Sequence, residues 1–242
     1  MVPKEIRTLA KYGAWGIHAS LLPKYAGGAP LVWAIINGEK VAGVTFFKFE
    51  DGVDDGDIIA QKSFPIKYED SIKEVYEKAS EASKKILIES LQNIDQIKFK
   101  PQDKSKIEVY LQRRPSDGEI DLNKTAIEIQ NFIRAQSKPY PGAFSTINGK
   151  TIIFWEVKFS EKNFKNKKND EVVKCRDKAY INLEDGVLEV QEVTFNGRRD
   201  EFYNIVRDEN LWGEGLGAKG ITLGKGSIIG ANSLVNKEVP ER

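Results

Sequence analysis

The sequence contains very few of the residues that most often build covalent or metal-bound sites. It has a single cysteine, Cys175, and a single histidine, His18. One cysteine can form neither an internal disulfide nor a cysteine-rich zinc site, so the composition excludes a disulfide framework and fits a reducing compartment. Cys175 is therefore interpreted as an inert thiol, and no metal is expected.

Long apolar runs and charge of one sign are absent as well. No run approaches the ~18 apolar residues that a membrane-spanning helix needs. The N-terminal stretch MVPKEIRTLAKYGAW is too interrupted by charge to be a secretory signal. The 37 Lys and Arg against 36 Asp and Glu leave a net charge of +1, which indicates no polyanionic partner globally, although a local basic patch stays open. The sequence predicts a cytoplasmic protein with no membrane partner.

The chain does contain strand and helix patterns, and the first group spans residues 1–95. Two strand-like apolar runs occupy residues 41–49 and 58–66. A helix follows, because Ser71 and Glu74 form a capping box and apolar residues then recur at three- and four-residue steps. This order after a glycine-rich loop predicts an α/β fold, the second half of a Rossmann-like domain.

A polar linker at residues 96–106 precedes a second domain at residues 107–207. A short helix is predicted around residues 126–135, followed by hairpins. Asn148-Gly149 and Asp185-Gly186 each lie between alternating apolar runs, which is typical of tight hairpin turns. Short strands joined by such turns predict a small, OB-like β-barrel.

The tail, residues 208–242, changes texture again. ITLGKG, SIIGAN and SLVNKE align as successive six-residue units at residues 221–238. This repeat resembles the end of a hexapeptide-repeat transferase and predicts a fragment of left-handed β-helix. Because a solenoid needs about three coils to close its core, the tail cannot act as an independent acyltransferase. A glycine-rich irregular tail is the open alternative.

His18 is the first candidate for chemistry. It lies in GIHASLLPKYAGGAP, where Gly27, Gly28 and Pro30 impose a tight path and allow a ligand close to the backbone. Imidazole is the side chain best suited to moving protons near neutral pH. A lone histidine is nevertheless more often a packed or surface residue.

The second candidate is the acidic segment EDGVDDGD at residues 50–57. Its four aspartates surround two glycines directly before an apolar strand, and they are Asp51, Asp54, Asp55 and Asp57. The spacing does not follow the EF-hand ligand pattern, and no glutamate occupies the twelfth position. Taken alone, the segment is more often a solvated turn.

Together these segments resemble the 10-formyltetrahydrofolate-dependent formyltransferases. This family includes methionyl-tRNA formyltransferase, glycinamide ribonucleotide transformylase and the sugar-nucleotide N-formyltransferases. The resemblance runs from about Tyr12 to Lys158. Its strongest motifs are HASLLPKYAGGAP, NGEKVAGVT at residues 37–45, GVDDGDIIAQ at residues 52–61 and PYPGAF at residues 139–144.

The resemblance implies a site and a donor. The family's catalytic histidine and aspartate fall on His18 and Asp54, and the backbone of Gly52, Val53, Asp54 and Asp55 would line the pocket for 10-formyltetrahydrofolate. The family asparagine, whose amide helps hold the oxyanion, falls on Gly16. Losing one such donor typically costs about 10²–10³ in rate. Water or a backbone N–H would have to replace it, or this chain is slow.

The resemblance leaves the acceptor open. LPKYAGGAPLVWAIINGE and PYPGAFS are more similar to the sugar enzymes, which favours a nucleotide-linked amino sugar over Met-tRNA. For tRNA, a basic patch is needed. The sequence offers only Lys162, Lys165, Lys167 and Lys168, a stretch more typical of a solvated loop.

The family domain begins with a strand–turn–helix half that this sequence does not match. We therefore expect a truncated or spliced reading frame. We also expect that residues 41–49 form part of an exposed apolar edge, which would produce aggregation or a homodimer. A non-catalytic remnant is the alternative from another class.

Overall fold

The computed structural model describes residues 2–217 of the chain. It divides into two compact units, with the division between Arg113 and Arg114. Within the described residues, no helix is long and apolar enough to cross a membrane.

The first unit contains a three-stranded sheet and one long helix. Its elements are α1 (Lys4–Arg7), β1 (Trp15–His18), β2 (Ala26–Gly27), α2 (Pro30–Ile36), β3 (Val41–Lys48), β4 (Ile58–Pro65), α3 (Ile72–Gln92) and β5 (Val109–Tyr110). The sheet has the order β1-β3-β4 with antiparallel pairing throughout. The short strands β2 and β5 form a separate parallel pair.

The middle position of β3 corrects the expectation of an exposed apolar edge at residues 41–49. Residues 42–47 of this strand are all buried, and β1 and β4 flank it. The run is apolar on both faces because it is the central strand. The expected homodimer stays a prediction, without this strand as its basis.

The predicted capped helix is confirmed as α3. The backbone N–H of Ser71 donates to Glu74 Oε2 at 2.9 Å, and the Ser71 side chain accepts from the first turn. These contacts satisfy backbone donors that a helix start otherwise leaves unpaired. The helix packs on β3 and β4 through its buried residues, which are Ile72, Val75, Ala79, Ala82 and Ile86.

The second unit is built around a six-stranded antiparallel sheet. Its elements are α4 (Ala126–Ala135), β6 (Ala143–Ile147), β7 (Lys150–Ser160), β8 (Val172–Cys175), β9 (Lys178–Asn182), β10 (Val187–Phe195), β11 (Arg198–Glu201) and α5 (Phe202–Asp208). The strand order is β6-β7-β10-β9-β8, with β11 paired to β10. The predicted helix at residues 126–135 is confirmed as α4.

The hairpin predicted at Asn148-Gly149 is confirmed. These residues join β6 to β7 with positive φ values of 49° and 73°, the conformation that a two-residue type I′ turn requires. Asp185-Gly186 likewise lies between β9 and β10, where Leu183 N–H donates to the Gly186 carbonyl at 2.8 Å.

The mixed α/β fold is therefore confirmed at the coarse level. The OB-like barrel stays a prediction. The repeat units at residues 221–238, predicted as β-helix, lie outside the described residues.

Candidate functional site

Two distant segments bring His18 and Asp54 together. His18 is the last residue of β1, and Asp54 lies in the turn between β3 and β4. His18 Nδ1 is 3.4 Å from Asp54 Oδ2, and the two side chains are 10% and 23% exposed. Asp54 adopts a left-handed conformation with φ of 51°. The structure thus forms a largely buried imidazole–carboxylate pair, in which the aspartate is the more exposed member.

The other ring nitrogen of His18 faces the backbone. Its Nε2 atom is 2.7 Å from the carbonyl oxygen of Tyr25. A carbonyl oxygen can only accept, so this contact requires a hydrogen on Nε2. The ring edge that can meet a substrate is therefore Nδ1, next to Asp54.

A backbone amide fixes the carboxylate of Asp54. Gly27 N–H donates to Asp54 Oδ2 at 2.8 Å. Gly27 has φ of +91°, and a Cβ atom there would lie 2.4 Å from the carbonyl oxygen of Tyr110 in β5. Glycine is required at this position because β5 runs directly alongside. The second oxygen, Oδ1, has no hydrogen-bond partner within residues 2–217 and is free for a ligand.

The neighbouring aspartates have different partners. Asp55 pairs with Lys104, with Oδ2 and Nζ 2.8 Å apart, and Asp51 pairs with Arg7. The Arg7 guanidinium beside Asp51 lowers the pKa of that carboxyl below its ordinary value. Among the aspartates of this turn, only Asp54 lies against His18.

Gln102 holds the turn that carries Asp54, and the sequence did not single it out. Its Nε2 atom donates to the carbonyl oxygens of Asp54 at 2.8 Å and Gly56 at 2.7 Å. The side chain is buried, and its Oε1 atom has no partner among the described residues. Gln102 lies within the predicted polar linker at residues 96–106, where one polar residue among many carries no distinguishing signature.

The loop after His18 is held from β3 and β4. Buried Thr45 donates to the carbonyl of Ser20 at 2.6 Å and accepts from Leu22 N–H at 3.0 Å. Gln61 donates to the carbonyl of Leu22 at 2.8 Å. Thr45 ends the GVT motif and Gln61 ends the GDIIAQ motif, and both motifs carried the family resemblance. The structure shows that these two side chains hold the backbone of the loop after His18.

Gly16 lies two residues before His18 in β1. Side chains at i and i+2 of a strand share one face, so a side chain at position 16 would lie on the face of His18. Phe49 fills that space, because a Cβ atom on Gly16 would be 2.2 Å from its Cζ atom. The structure thus leaves no room for an amide unless Phe49 moves.

The other predicted site residues, Gly52 and Val53, are exposed. No N–H group of residues 52–55 donates to another group in the described part of the chain. Among residues 2–217, no group of three or more His, Cys, Asp or Glu side chains could hold a metal ion.

Comparisons with known proteins extend over both units. The family model described as formyl transferase matches residues 1–91, and the model of the formyl transferase C-terminal domain matches residues 113–202. A methionyl-tRNA formyltransferase from Caldanaerobacter subterraneus subsp. tengcongensis is 34% identical over 201 residues, 82% of this chain and 64% of the relative. Four further methionyl-tRNA formyltransferases match at 31–35% identity.

Proteins with other names are similar as well, including the two that follow. The bifunctional polymyxin resistance protein ArnA of Wigglesworthia glossinidia brevipalpis is 34% identical over 250 residues, 99% of this chain and 37% of that protein. The crystal structure of WlaRD, a sugar 3N-formyl transferase in the presence of dTDP and 5-N-formyl-THF, aligns with a TM-score of 0.56 and 26% identity, over 76% of this chain and 65% of that one. The chain thus spans less than two thirds of these proteins' lengths.

Proposed function

Because the chain belongs to the formyltransferase family, we propose that it transfers a formyl group from 10-formyltetrahydrofolate to a primary amine. The observation that carries this proposal is the His18–Asp54 pair, with 3.4 Å between Nδ1 and Oδ2. An imidazole beside a carboxylate can both supply and remove protons, which acyl transfer to an amine requires.

The proposed reaction assigns a role to each partner. The neutral amine attacks the formyl carbon, the new C–N bond forms, and the bond to N10 of the folate then breaks. The amine loses a proton and N10 gains one. Nδ1 of His18 accepts the proton that the amine loses, the imidazolium so formed stabilises the oxyanion between these steps, and Asp54 orients His18 and assists the return of the proton to N10 through water. Since Nε2 is directed at the Tyr25 carbonyl, the reacting carbon would lie beside Nδ1 and the free Oδ1 of Asp54.

The turn at residues 52–55 fits the folate donor. Its backbone N–H groups are unused and lie beside Asp54, and Gly52 and Val53 leave it open to solvent. A pterin ring offers several acceptors in one plane, which suits such a row of backbone donors. We assign Gly52, Val53, Asp54 and Asp55 to the folate pocket on this ground.

For the acceptor, we propose the amine of a nucleotide-linked amino sugar. Binding of tRNA would require a basic patch, for which the sequence offers the lysines of residues 162–168. This patch is partly neutralised, because Lys167 pairs with Glu171 at 2.8 Å. A cavity of about 490 Å³ beside these lysines is also lined by Glu161, Glu184 and Asp185. Mixed charge of this kind weakens a contact with phosphates.

Met-tRNA is the second candidate acceptor. The observation that favours it is the number of methionyl-tRNA formyltransferases among the relatives, at 31–35% identity. Phosphate contacts would make tRNA binding weaken steeply as salt increases.

A single-turnover assay tests both the proposed formyl transfer and the proposed acceptor. The purified chain is mixed with 10-formyltetrahydrofolate and with either a nucleotide-linked amino sugar or Met-tRNA, and the formylated product is measured. Transfer that His18→Ala removes supports the proposed chemistry, and faster formylation of Met-tRNA would overturn the proposed acceptor. If neither amine is formylated while the folded chain still binds folate, the remnant hypothesis is favoured instead.

A further inference from the structure

We propose that Tyr25 is a positioning residue that keeps the hydrogen of His18 on Nε2 and so directs Nδ1 at Asp54. The inference deepens the proposed function, on which its catalytic meaning rests. It begins from the short contact of 2.7 Å between His18 Nε2 and the Tyr25 carbonyl oxygen.

Two acceptors compete for the hydrogen of a neutral imidazole at this site. The Tyr25 carbonyl lies 2.7 Å from Nε2, whereas Asp54 Oδ2 lies 3.4 Å from Nδ1. The first distance is that of a strong hydrogen bond and the second is longer than a charge-assisted one. The geometry therefore places the hydrogen on Nε2. Without the carbonyl, the carboxylate would draw the hydrogen to Nδ1.

The carbonyl points at His18 because of an unusual backbone conformation. Tyr25 has φ of 56°, in the left-handed region that aromatic residues rarely adopt. Such a conformation persists only where the surrounding structure fixes it, and it is frequent at functional sites. Glycine would adopt it without strain, so the presence of tyrosine calls for a side-chain role.

The side chain of Tyr25 supplies the contacts that fix this conformation. Its hydroxyl donates to Glu39 Oε1 at 2.9 Å and accepts from Asn37 Nδ2 at 3.2 Å. Its ring lies 4.8 Å from that of Tyr110, centroid to centroid, and only 9% of the residue is exposed. Burial raises the pKa of Tyr25 to about 12, so the hydroxyl keeps the proton that it donates.

This arrangement explains the NGE motif, which the proposed reaction does not use directly. Asn37 and Glu39 follow α2 and lie far from Asp54 in sequence. Through the Tyr25 hydroxyl they anchor the backbone carbonyl that contacts the His18 ring. The motif thus acts on His18 through Tyr25.

The test uses the fact that His18 is the only histidine. Uniform ¹⁵N labelling gives one pair of imidazole nitrogen signals, which separate the protonated nitrogen from the unprotonated one. At about pH 9, where an imidazole is ordinarily neutral, we expect the Nε2–H form to dominate. Tyr25→Phe should lower the ratio of Nε2–H to Nδ1–H about fivefold, the factor that one net hydrogen bond supplies.

Tyr12→Phe is the matched control. It removes a hydroxyl that donates to a carboxylate, Asp95 Oδ1, at 2.8 Å, in the same unit. We expect no change in the His18 signals for this control. Glu39→Gln keeps an acceptor and should retain the Nε2–H form, whereas Glu39→Ala should shift the ratio as Tyr25→Phe does.

An unchanged ratio in both Tyr25→Phe and Glu39→Ala would overturn the proposal, as would an equal shift in Tyr12→Phe. If Tyr25→Phe does not fold, Glu39→Ala gives the same readout alone. In an active chain, Tyr25→Phe should lower kcat and leave KM for the folate nearly unchanged. Absence of formyl transfer in the unsubstituted chain would defeat the proposed function only, because the nitrogen signals do not depend on turnover.

Discussion

Gly16 lacks the amide side chain of the family asparagine. The position of Phe49 beside Gly16 makes the effect of restoring that amide testable. An asparagine at position 16 would share a strand face with His18 and could donate to the oxyanion. Its Cβ atom, however, would lie 2.2 Å from Cζ and 2.5 Å from Cε1 of Phe49. Gly16→Asn alone is therefore not expected to accelerate the reaction, because the ring must first move by more than about 1 Å to reach ordinary contact.

The cost of that movement follows from the packing of Phe49. Its ring meets that of Phe47 edge-on at 5.4 Å and packs against the buried cluster that contains Leu22 and Ile58. Overpacking a filled core costs about 1–3 kcal/mol, and the lower end of that range applies here because Phe49 is only partly buried. We expect Gly16→Asn to lose that amount of unfolding free energy in urea titration and to gain no rate.

The double variant Gly16→Asn/Phe49→Leu removes the clash and keeps an apolar side chain. It should recover most of the lost stability. In single-turnover formyl transfer it should exceed the unsubstituted chain, with an upper limit of about 10²–10³, the usual contribution of one oxyanion donor. Phe49→Leu alone is the control for the space that the smaller side chain opens. A double variant no faster than this control would refute the reasoning and place the donor elsewhere.

The remaining predictions concern the turn that carries Asp54. Gln102→Met removes two hydrogen bonds of 2.8 and 2.7 Å from a buried side chain and should lower the unfolding free energy by about 1–3 kcal/mol. Gln96→Met, at an exposed position, should leave the unfolding free energy unchanged. Urea titration measures both. Asp54→Asn should reduce single-turnover transfer at least about a hundredfold. Asp51→Asn and Asp55→Asn should stay within about threefold, because their partners are Arg7 and Lys104. Equal losses at Asp51 and Asp54 would mean that the wrong aspartate has been chosen.

Local sequence signals predicted the elements of the fold well. The Ser71–Glu74 capping box and the turn at Asn148-Gly149 are formed by residues within four positions of each other, so their physics is complete in a short segment. Strand pairing is not local. The run at residues 41–49 was expected at an edge, but β1 supplies a second neighbour from before the loop that follows His18.

The residues of the site likewise differ in whether the sequence alone could identify them. The resemblance selected His18 and Asp54, and the structure brings these two residues together. Tyr25 and Gln102 carried no signal, because Tyr25 acts through a carbonyl oxygen and Gln102 acts upon carbonyl oxygens. Every residue type has a carbonyl, so its use at a site leaves no mark in the sequence.

This use of the backbone has a consequence for substitutions around the site. His18 is contacted by the carbonyl of Tyr25, and Asp54 by the N–H of Gly27. Both backbone groups are oriented by positive φ values, 56° at Tyr25 and 91° at Gly27. A substitution that changes either φ would move a hydrogen-bond partner without touching the imidazole or the carboxylate. We therefore expect Gly27→Ala, whose Cβ would collide with the Tyr110 carbonyl, to lower the transfer rate as severely as loss of the Asp54 carboxylate, although it removes no reactive group. Circular dichroism would establish that the variant is folded, and a rate within about threefold of the unsubstituted chain would show that the backbone amide does not control Asp54.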